Sequence, residues 1–564
     1  MPSDQSPGHQ WRNLACGVVG RVGTRPDRMR SLLSITDSVA AAPSFDLVID
    51  GISGELNASG TSDSIRSPTR RCWTAGAFPG TSEGETWADA SIGHDAIGAR
   101  VEAGERGLVH AGVSGSRPLY VDVDHGAVAW STSLDVLARS ASGAGMPDLT
   151  AWADIFVFGA PLLGRTPFEG LRRVPPMVSV APGQPVAEIP PDDWPWFTAD
   201  PGRTSIDDVL ECLDIAVRRF VEAGPTDTLL SGGWDSRVLT TLAGAVGTRA
   251  STAWTTSSDI GTALDELVAG QVASMLGTPH RIVRGDPERV GHDVAAYAAA
   301  VDFQTAFHVW LVPLAESLSS GGATWVLDGL GGGIFLDSAF DSGDRDAGSL
   351  GWSLTARYAD GVESLLVPRV AEAVLERSRD SWGTVVNALD GRIQPGAEAV
   401  VAYLTRTQPG IAMGPHGLLA QHTRVGTPFL ENDVVRASLD LPDSMRRGGR
   451  AYVELMQRLD PRLARLPTAT QRTGRRRSHP RRISSLSAAT WFRQRLGRGP
   501  VAELIAPDLR AADVGRWQQE LNTTSGQHVL RSLAVLALWL DAYGEVLQPD
   551  ADGVVSTFGA GRVG

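Results

Sequence analysis

The sequence predicts two domains of α/β and α+β class. Residues 1–200 form a β-rich N-terminal domain with a linker, residues 201–548 a doubly wound parallel sheet with a helical C-terminal part, and residues 549–564 a flexible tail. Three observations predict this. Between Ile206 and Val283 short apolar strands alternate with helical stretches, the pattern of parallel strands joined by helical crossovers. Between Ser114 and Ser133 apolar and polar residues alternate around turn residues, which marks hairpin strands. A Pro-rich stretch from Pro182 to about Pro201 separates the two patterns. At 564 residues the chain is also too long for one ordinary core.

Composition narrows the function classes. With 42% hydrophobic and 20% charged residues the chain reads as a soluble globular protein. A net charge of −13 argues against a general nucleic-acid or membrane-surface role. No apolar run approaches the roughly 18 residues of a membrane span, and no apolar signal segment opens the chain, so a cytoplasmic protein is expected. Cys16, Cys72 and Cys212 are too few and too scattered for a disulfide framework or a zinc site. The sequence contains no lysine: all 51 residues counted as Lys+Arg are arginine. Arginine stays charged and clamps anions, so any chemistry here does without a lysine acid or base.

In chain order, residues 1–15 read as a loose leader and Cys16-Gly-Val-Val-Gly20 as a short strand. Residues 46–100 are rich in Gly, Ser and Thr, with short apolar runs such as Phe45-Asp-Leu-Val-Ile49. Ser114-Gly-Ser-Arg-Pro-Leu-Tyr120, Val121 to Val123 and Gly126-Ala-Val-Ala-Trp-Ser-Thr-Ser133 read as turn, strand, hairpin and strand. Past the linker, Val209, Leu213, Ala216, Val217 and Phe220 fall at helical spacing across Ile206 to Val221. An apolar strand then ends at Leu230, a helix starts near Trp234, and Ala250 to Thr255 forms the next strand. Ala263 to Leu276 is a helix containing Asp265-Glu266, His280-Arg-Ile-Val283 a third strand, and Trp325-Val-Leu327 another. The remaining chain is helical in pattern, closing with an apolar helix from Val529 to Tyr543.

The chemistry concentrates in Ser231-Gly-Gly-Trp-Asp-Ser236, between a strand and a helix. Gly232 and Gly233 let the backbone turn and present its N–H groups, the helix adds the positive end of its dipole, and Ser231 and Ser236 add hydroxyls. Such a turn suits phosphate. Asp235 is a poor neighbour for bare polyphosphate unless a cation stands between them, which implies magnesium. In such sheets ligands bind beyond the carboxyl ends of the strands, where Ser231 to Ser236 and Trp254 to Thr256 are expected. A second glycine-rich loop, Val326-Leu-Asp-Gly-Leu-Gly-Gly-Gly-Ile-Phe335, follows another strand.

The first loop resembles the pyrophosphate loop of the ATP pyrophosphatase superfamily, and the chain from Ser114 to Tyr543 resembles its asparagine synthetase branch, most of all the lasso peptide cyclases and β-lactam synthetases. The resemblance implies ATP and Mg2+ as cofactors and activation of a carboxylate as an acyl-adenylate that an amine attacks. It also implies an N-terminal amidotransferase-like (Ntn-type) β-sandwich, supported by Cys16-Gly17 and by Gly115-Ser-Arg-Pro-Leu-Tyr120. The residues before Cys16, and the missing glutamine-binding segments, argue against glutamine hydrolysis. Arg165 to Pro176 resembles the family's stretch before the synthetase domain, and Arg424-Val-Gly-Thr-Pro-Phe-Leu-Glu-Asn432 one of its later segments.

Cofactor binding is expected at Ser231, Gly232, Gly233, Asp235, Ser236, Trp254, Gly329 and Gly331. Metal binding falls to Asp235 and Asp328, and catalytic roles to Asp328 and Arg475. Relatives carry a Glu or Tyr at Leu330, a magnesium-binding aspartate at Gly333, and a lysine near Arg472-Thr-Gly-Arg-Arg-Arg477. Asp328 or Asp337 is therefore expected to supply the second carboxylate; the alternative is a damaged site and a non-catalytic scaffold. A lasso peptide cyclase implies a ribosomal precursor peptide as substrate, with a leader-binding protein and a leader peptidase as partners. A β-lactam synthetase or an asparagine synthetase is the other enzymatic reading.

Overall fold

The computed structural model describes residues 16–20, 70–75, 97–102, 108–123, 127–140, 146–247, 251–256, 264–323, 325–337, 356–393, 398–472, 481–544 and 547. The strands at 16–20, 70–75 and 97–102 are described by backbone alone, so the thiol of Cys16 lies outside the description, as does all of Arg475.

The N-terminal part holds two antiparallel four-stranded sheets. One runs in the order β1 (Cys16–Gly20), β6 (Ala127–Ser131), β5 (Tyr120–Val123), β7 (Leu171–Arg173). The other runs β2 (Arg70–Ala75), β3 (Ile97–Glu102), β4 (Leu108–His110), β8 (Ser179–Val180). Val109 and Val180 of the second sheet share a small apolar core with Val121, Val128 and Trp130 of the first. The assignment of these sheets to an Ntn-type sandwich rests on the sequence resemblance. β2 and β3 fall where composition alone marked only a Gly-, Ser- and Thr-rich stretch.

The C-terminal part is built on a five-stranded parallel sheet, β11 (His280–Val283), β10 (Ala253–Thr256), β9 (Thr226–Leu229), β12 (Trp325–Leu327), β13 (Arg424–Gly426). Successive side chains of a strand point to opposite faces, and here both faces are covered except at the edge strand β11, where Arg281 and Ile282 are exposed. Ala253, Trp325 and Leu327 pack with the helices Ile206–Glu222, Trp234–Val246 and Leu264–Leu276. Trp254, Val326 and Val425 belong to the larger core on the other side, with Val294 and Tyr297 of the helix Val290–Ala300. The expected doubly wound sheet is thus present, with helices packed on both of its faces.

Most expected boundaries hold within a few residues. Ser205 caps the helix Ile206–Glu222 through a capping box with Asp208, which stops it from starting earlier. The closing helix begins at Thr524 rather than Val529, capped by Thr523, because Gly526, Gln527 and His528 are buried and extend its packed face. The Pro-rich stretch is no exposed spacer. Trp194 and Trp196 are fully buried, their indole N–H groups donating to the Val113 carbonyl (2.7 Å) and to Asn432 Oδ1 (3.2 Å). One core therefore runs from Val113 through the linker tryptophans into the C-terminal helices. Among the described residues no helix is long and apolar enough to cross a membrane.

Candidate active site

At the carboxyl end of β9 the chain turns through Ser231, Gly232 and Gly233 into the helix Trp234–Val246. The turn is held by its own hydroxyls. Ser231 N–H donates to Ser236 Oγ (2.9 Å), the two seryl oxygens lie 3.0 Å apart, and Gly233 N–H donates to Ser231 Oγ (3.2 Å). Neither Gly232 nor Gly233 adopts a left-handed backbone, contrary to a tight-turn reading of the pair. Gly232 is needed for space instead: a Cβ there would stand 2.6 Å from Ala469 Cβ and 2.9 Å from Asp265 Oδ1. Ala469 N–H donates to the Gly232 carbonyl (3.0 Å), and Gly232 N–H is received by Asp265. Asp265 is thus a neighbour of the loop.

The second loop leaves β12 at Asp328, next to the first. Asp328 N–H donates to the Gly426 carbonyl (2.9 Å), and Asp328 Oδ1 accepts from Leu330 N–H (2.8 Å). Gly331 has φ of 95°, and a Cβ there would lie 2.5 Å from Leu430, so glycine is required on both counts. The Gly329, Gly332 and Gly333 positions lean on Asp235. Cβ atoms would come 2.8 Å from Asp235 Cβ at Gly329, 2.8 Å from Asp235 Oδ1 at Gly332 and 3.5 Å from Asp235 Oδ2 at Gly333. Glycines of one loop thereby admit the carboxylate of the other.

Three acidic residues gather at this junction. Burial pushes the Asp235 carboxyl up to about 6; hydrogen bonds from the Tyr452 hydroxyl and the Gly333 N–H oppose the shift, and the charges of Asp328 and Asp337 add to it. Burial likewise pushes Asp328 up to about 6, against the Leu330 N–H. Asp337 is raised more modestly, again by burial, and its Oδ1 accepts from Gly449 N–H (2.9 Å). Desolvated carboxylates that repel one another favour a cation between them. Asp328 Oδ2 has no hydrogen-bond partner among the described residues, which leaves it open to a ligand. Among those residues no group of three or more His, Cys, Asp or Glu side chains is arranged to hold a metal ion. Two carboxylates are still a fitting donor set for magnesium, which takes one or two from the protein and completes its octahedron with phosphate and water.

The other expected residues are placed unevenly. Ser231, Gly232, Gly233, Asp235, Ser236, Asp328, Gly329 and Gly331 all come to this junction. The Trp254 side chain does not: it is 3% exposed, and its indole N–H donates to Asp227 Oδ2 (2.8 Å), back along the strands from their carboxyl ends. Arg475 lies outside the described residues, but the segment leading to it is anchored here. Arg237, fully buried over the Trp234 ring (4.3 Å), donates to the carbonyls of Leu463 (3.0 Å) and Leu466 (2.6 Å), and Arg472 donates to Gln271. His280 is tied to Thr255 Oγ1 (2.8 Å), a packing role within the sheet.

Sequence reading missed Tyr452. It lies on the helix Arg450–Leu459, is 1% exposed, and stacks on Trp234 with centroids 6.3 Å apart and planes 7° from parallel. Burial and the neighbouring Asp235 charge raise its pKa well above the ordinary value, so the phenol keeps its proton and donates. Its position as an aromatic on the buried face of an amphipathic helix gives no local sign of that partner.

Residues 208–358, which contain both glycine-rich loops, match the family model for asparagine synthase. No curated protein matches the chain. The match supports an asparagine synthetase-like domain over that span; members of that family are ATP-dependent carbon–nitrogen ligases.

Proposed function

We propose that this protein is an amide-bond-forming ligase that activates a carboxylate with ATP and Mg2+, and that it serves as a lasso peptide cyclase. In this reading the N-terminal amine of a ribosomal precursor peptide is joined to one of the peptide's own Asp or Glu side chains, with a leader-binding protein and a leader peptidase acting on the same peptide. The observation that carries the ligase reading is the meeting of Asp235 and Asp328 beside the Ser231–Ser236 turn, within the span that matches asparagine synthase. ATP, when bound, supplies the adenylyl group that makes a carboxylate reactive towards an amine. The chain's own part is electrostatic. Asp235 and Asp328 would hold magnesium, and the start of the helix at Trp234 would face negative charge with its dipole. Arg237 holds the chain at Leu463 and Leu466, ahead of Arg472 to Arg477, whose arginines would bring cations in place of a lysine. A reading without glutamine draws support from the N-terminal part: it lacks the glutamine-binding segments, as suits a substrate that brings its own amine, in a lasso peptide cyclase and a β-lactam synthetase alike.

A scaffold that binds nucleotide without turning it over is the second reading. It is favoured by Gly333, where relatives carry a carboxylate, and by loop amides already engaged, Gly232 N–H by Asp265 and Gly233 N–H by Ser231. Magnesium-dependent pyrophosphate release with the precursor peptide supplied separates the two. The ligase releases pyrophosphate and converts the peptide to a product lighter by one water; a protein that binds ATP yet releases no pyrophosphate is the scaffold.

A further inference from the structure

We infer that Tyr452 is a positioning residue for Asp235, fixing which carboxylate oxygen is presented to the metal; this rests on the proposed ATP- and magnesium-binding role of the two loops. The phenol hydroxyl donates to Asp235 Oδ1. The other oxygen, Oδ2, faces Gly333, where a Cβ would stand at an ordinary 3.5 Å. With one oxygen held by Tyr452, the carboxylate cannot rotate freely, and Oδ2 is turned towards the second loop. An oxygen carries more than one lone pair, so accepting from the Gly333 N–H does not preclude binding a cation.

Three features show that the contact is built rather than incidental. The Tyr452 ring lies flat against Trp234, which opens the helix carrying Asp235, so phenol and carboxylate are referenced to the same helical turn. The helix Arg450–Leu459 is hooked to the same junction at its start, where Gly449 has φ of 69° and its N–H donates to Asp337 Oδ1. Gly332 passes between the partners: a Cβ there would come 2.8 Å from both Asp235 Oδ1 and Tyr452 Oη. Both loops and the helix Arg450–Leu459 therefore meet at one hydrogen bond. Outer groups that orient a metal ligand commonly carry a large share of metal affinity, about 10-fold to 100-fold.

Tyr452→Phe removes the hydroxyl and keeps the stacked ring. Binding of ATP is measured by calorimetry across a magnesium titration, with wild type, Tyr452→Phe, Asp235→Asn and the double variant in the full chain. The expected result is a magnesium requirement raised about tenfold in Tyr452→Phe, with metal-free ATP binding unchanged. Because Tyr452 acts through Asp235, the double variant should be no weaker than Asp235→Asn alone. Gly332→Ala, which wedges a methyl between the partners, should raise the requirement in the same direction and serves if Tyr452→Phe fails to fold. A wild-type magnesium requirement in folded Tyr452→Phe, or additive losses in the double variant, overturns the positioning role while leaving the metal site standing. If Asp235→Asn itself binds magnesium and ATP as wild type does, the ligase reading fails and this inference fails with it.

Discussion

The two glycine-rich loops end neighbouring parallel strands, yet they use glycine for different reasons. In Ser231–Ser236 the backbone stays out of the left-handed region, and Gly232 makes room for Ala469 and Asp265. In Asp328–Gly333, Gly331 requires a left-handed backbone, while Gly329 and Gly332 make room for Asp235. The first loop carries the side chains; the second is largely a cradle for one of them. A carboxylate missing at Gly333 therefore does not empty the junction, because Asp235 and Asp328 remain there, close enough for the Asp328 charge to help raise Asp235.

The largest expected effect falls on the first loop. Asp235→Ala should abolish magnesium-dependent ATP turnover, a loss of roughly 3 kcal/mol or more in transition-state stabilisation and about a hundredfold or greater in rate, while circular dichroism shows a folded protein. Wild-type pyrophosphate release from that variant would take Asp235 out of the mechanism.

Next come the carboxylates of the second loop, which should divide. Asp328→Asn should weaken magnesium-dependent nucleotide binding about tenfold, since its Oδ2 is open to a ligand. Asp337→Asn should leave nucleotide binding nearly intact and cost about 1 kcal/mol of stability instead, because Asp337 is occupied in fastening Gly449. Denaturant melts and nucleotide titrations of the two variants, run together, test the division; equal losses of binding would erase it.

The glycine contrast is tested by stability alone. Gly331→Ala should cost about 1–3 kcal/mol from the strained φ, and more if Leu430 cannot move. Gly233→Ala, at φ of −88° with its nearest neighbour Ser231 Oγ at 3.3 Å, should cost only about 1 kcal/mol as a poorer helix cap. Similar denaturation midpoints for the two variants would show that backbone geometry does not separate the loops.

A carboxylate remote from both loops supplies a control for pH. Asp302 accepts from Leu134 N–H (3.1 Å), Asp135 N–H (3.2 Å) and Ser133 Oγ (3.4 Å). Burial, reinforced by Asp135, raises its pKa from 3.8 to about 7 against those hydrogen bonds; Tyr120, Tyr543, Arg139 and Arg173 complete the charged and titratable surroundings. The folded state thus keeps a proton that the unfolded state releases. The associated stability is full below about pH 4 and lost as pH rises through about 7. Asp302→Asn, which tolerates the φ of 50° found there, should flatten the fall in stability between those limits; an unchanged slope would assign the pH dependence to other groups, those of the loops included.

What the sequence by itself determined is what local pattern can encode. Helical spacing marked the helix read from Ile206 to Val221, the alternation of short strands with helices marked β9 and β11, an apolar run marked β12, and glycines beside Asp marked both loops, because period and turn chemistry act over a few residues. β2 and β3 were not legible, since their partners rather than their composition make them strands. Tertiary structure alone decided the rest. That Tyr452 bonds Asp235 across a sequence separation of 217, that Asp265 takes the Gly232 amide, and that Trp254 turns away to Asp227 are contacts between elements brought together by a shared core. The same holds for the linker tryptophans, read as spacer from their prolines yet buried because the apolar faces around them leave no cheaper place for an indole. A side chain's partners follow from packing, and packing is a property of the whole chain.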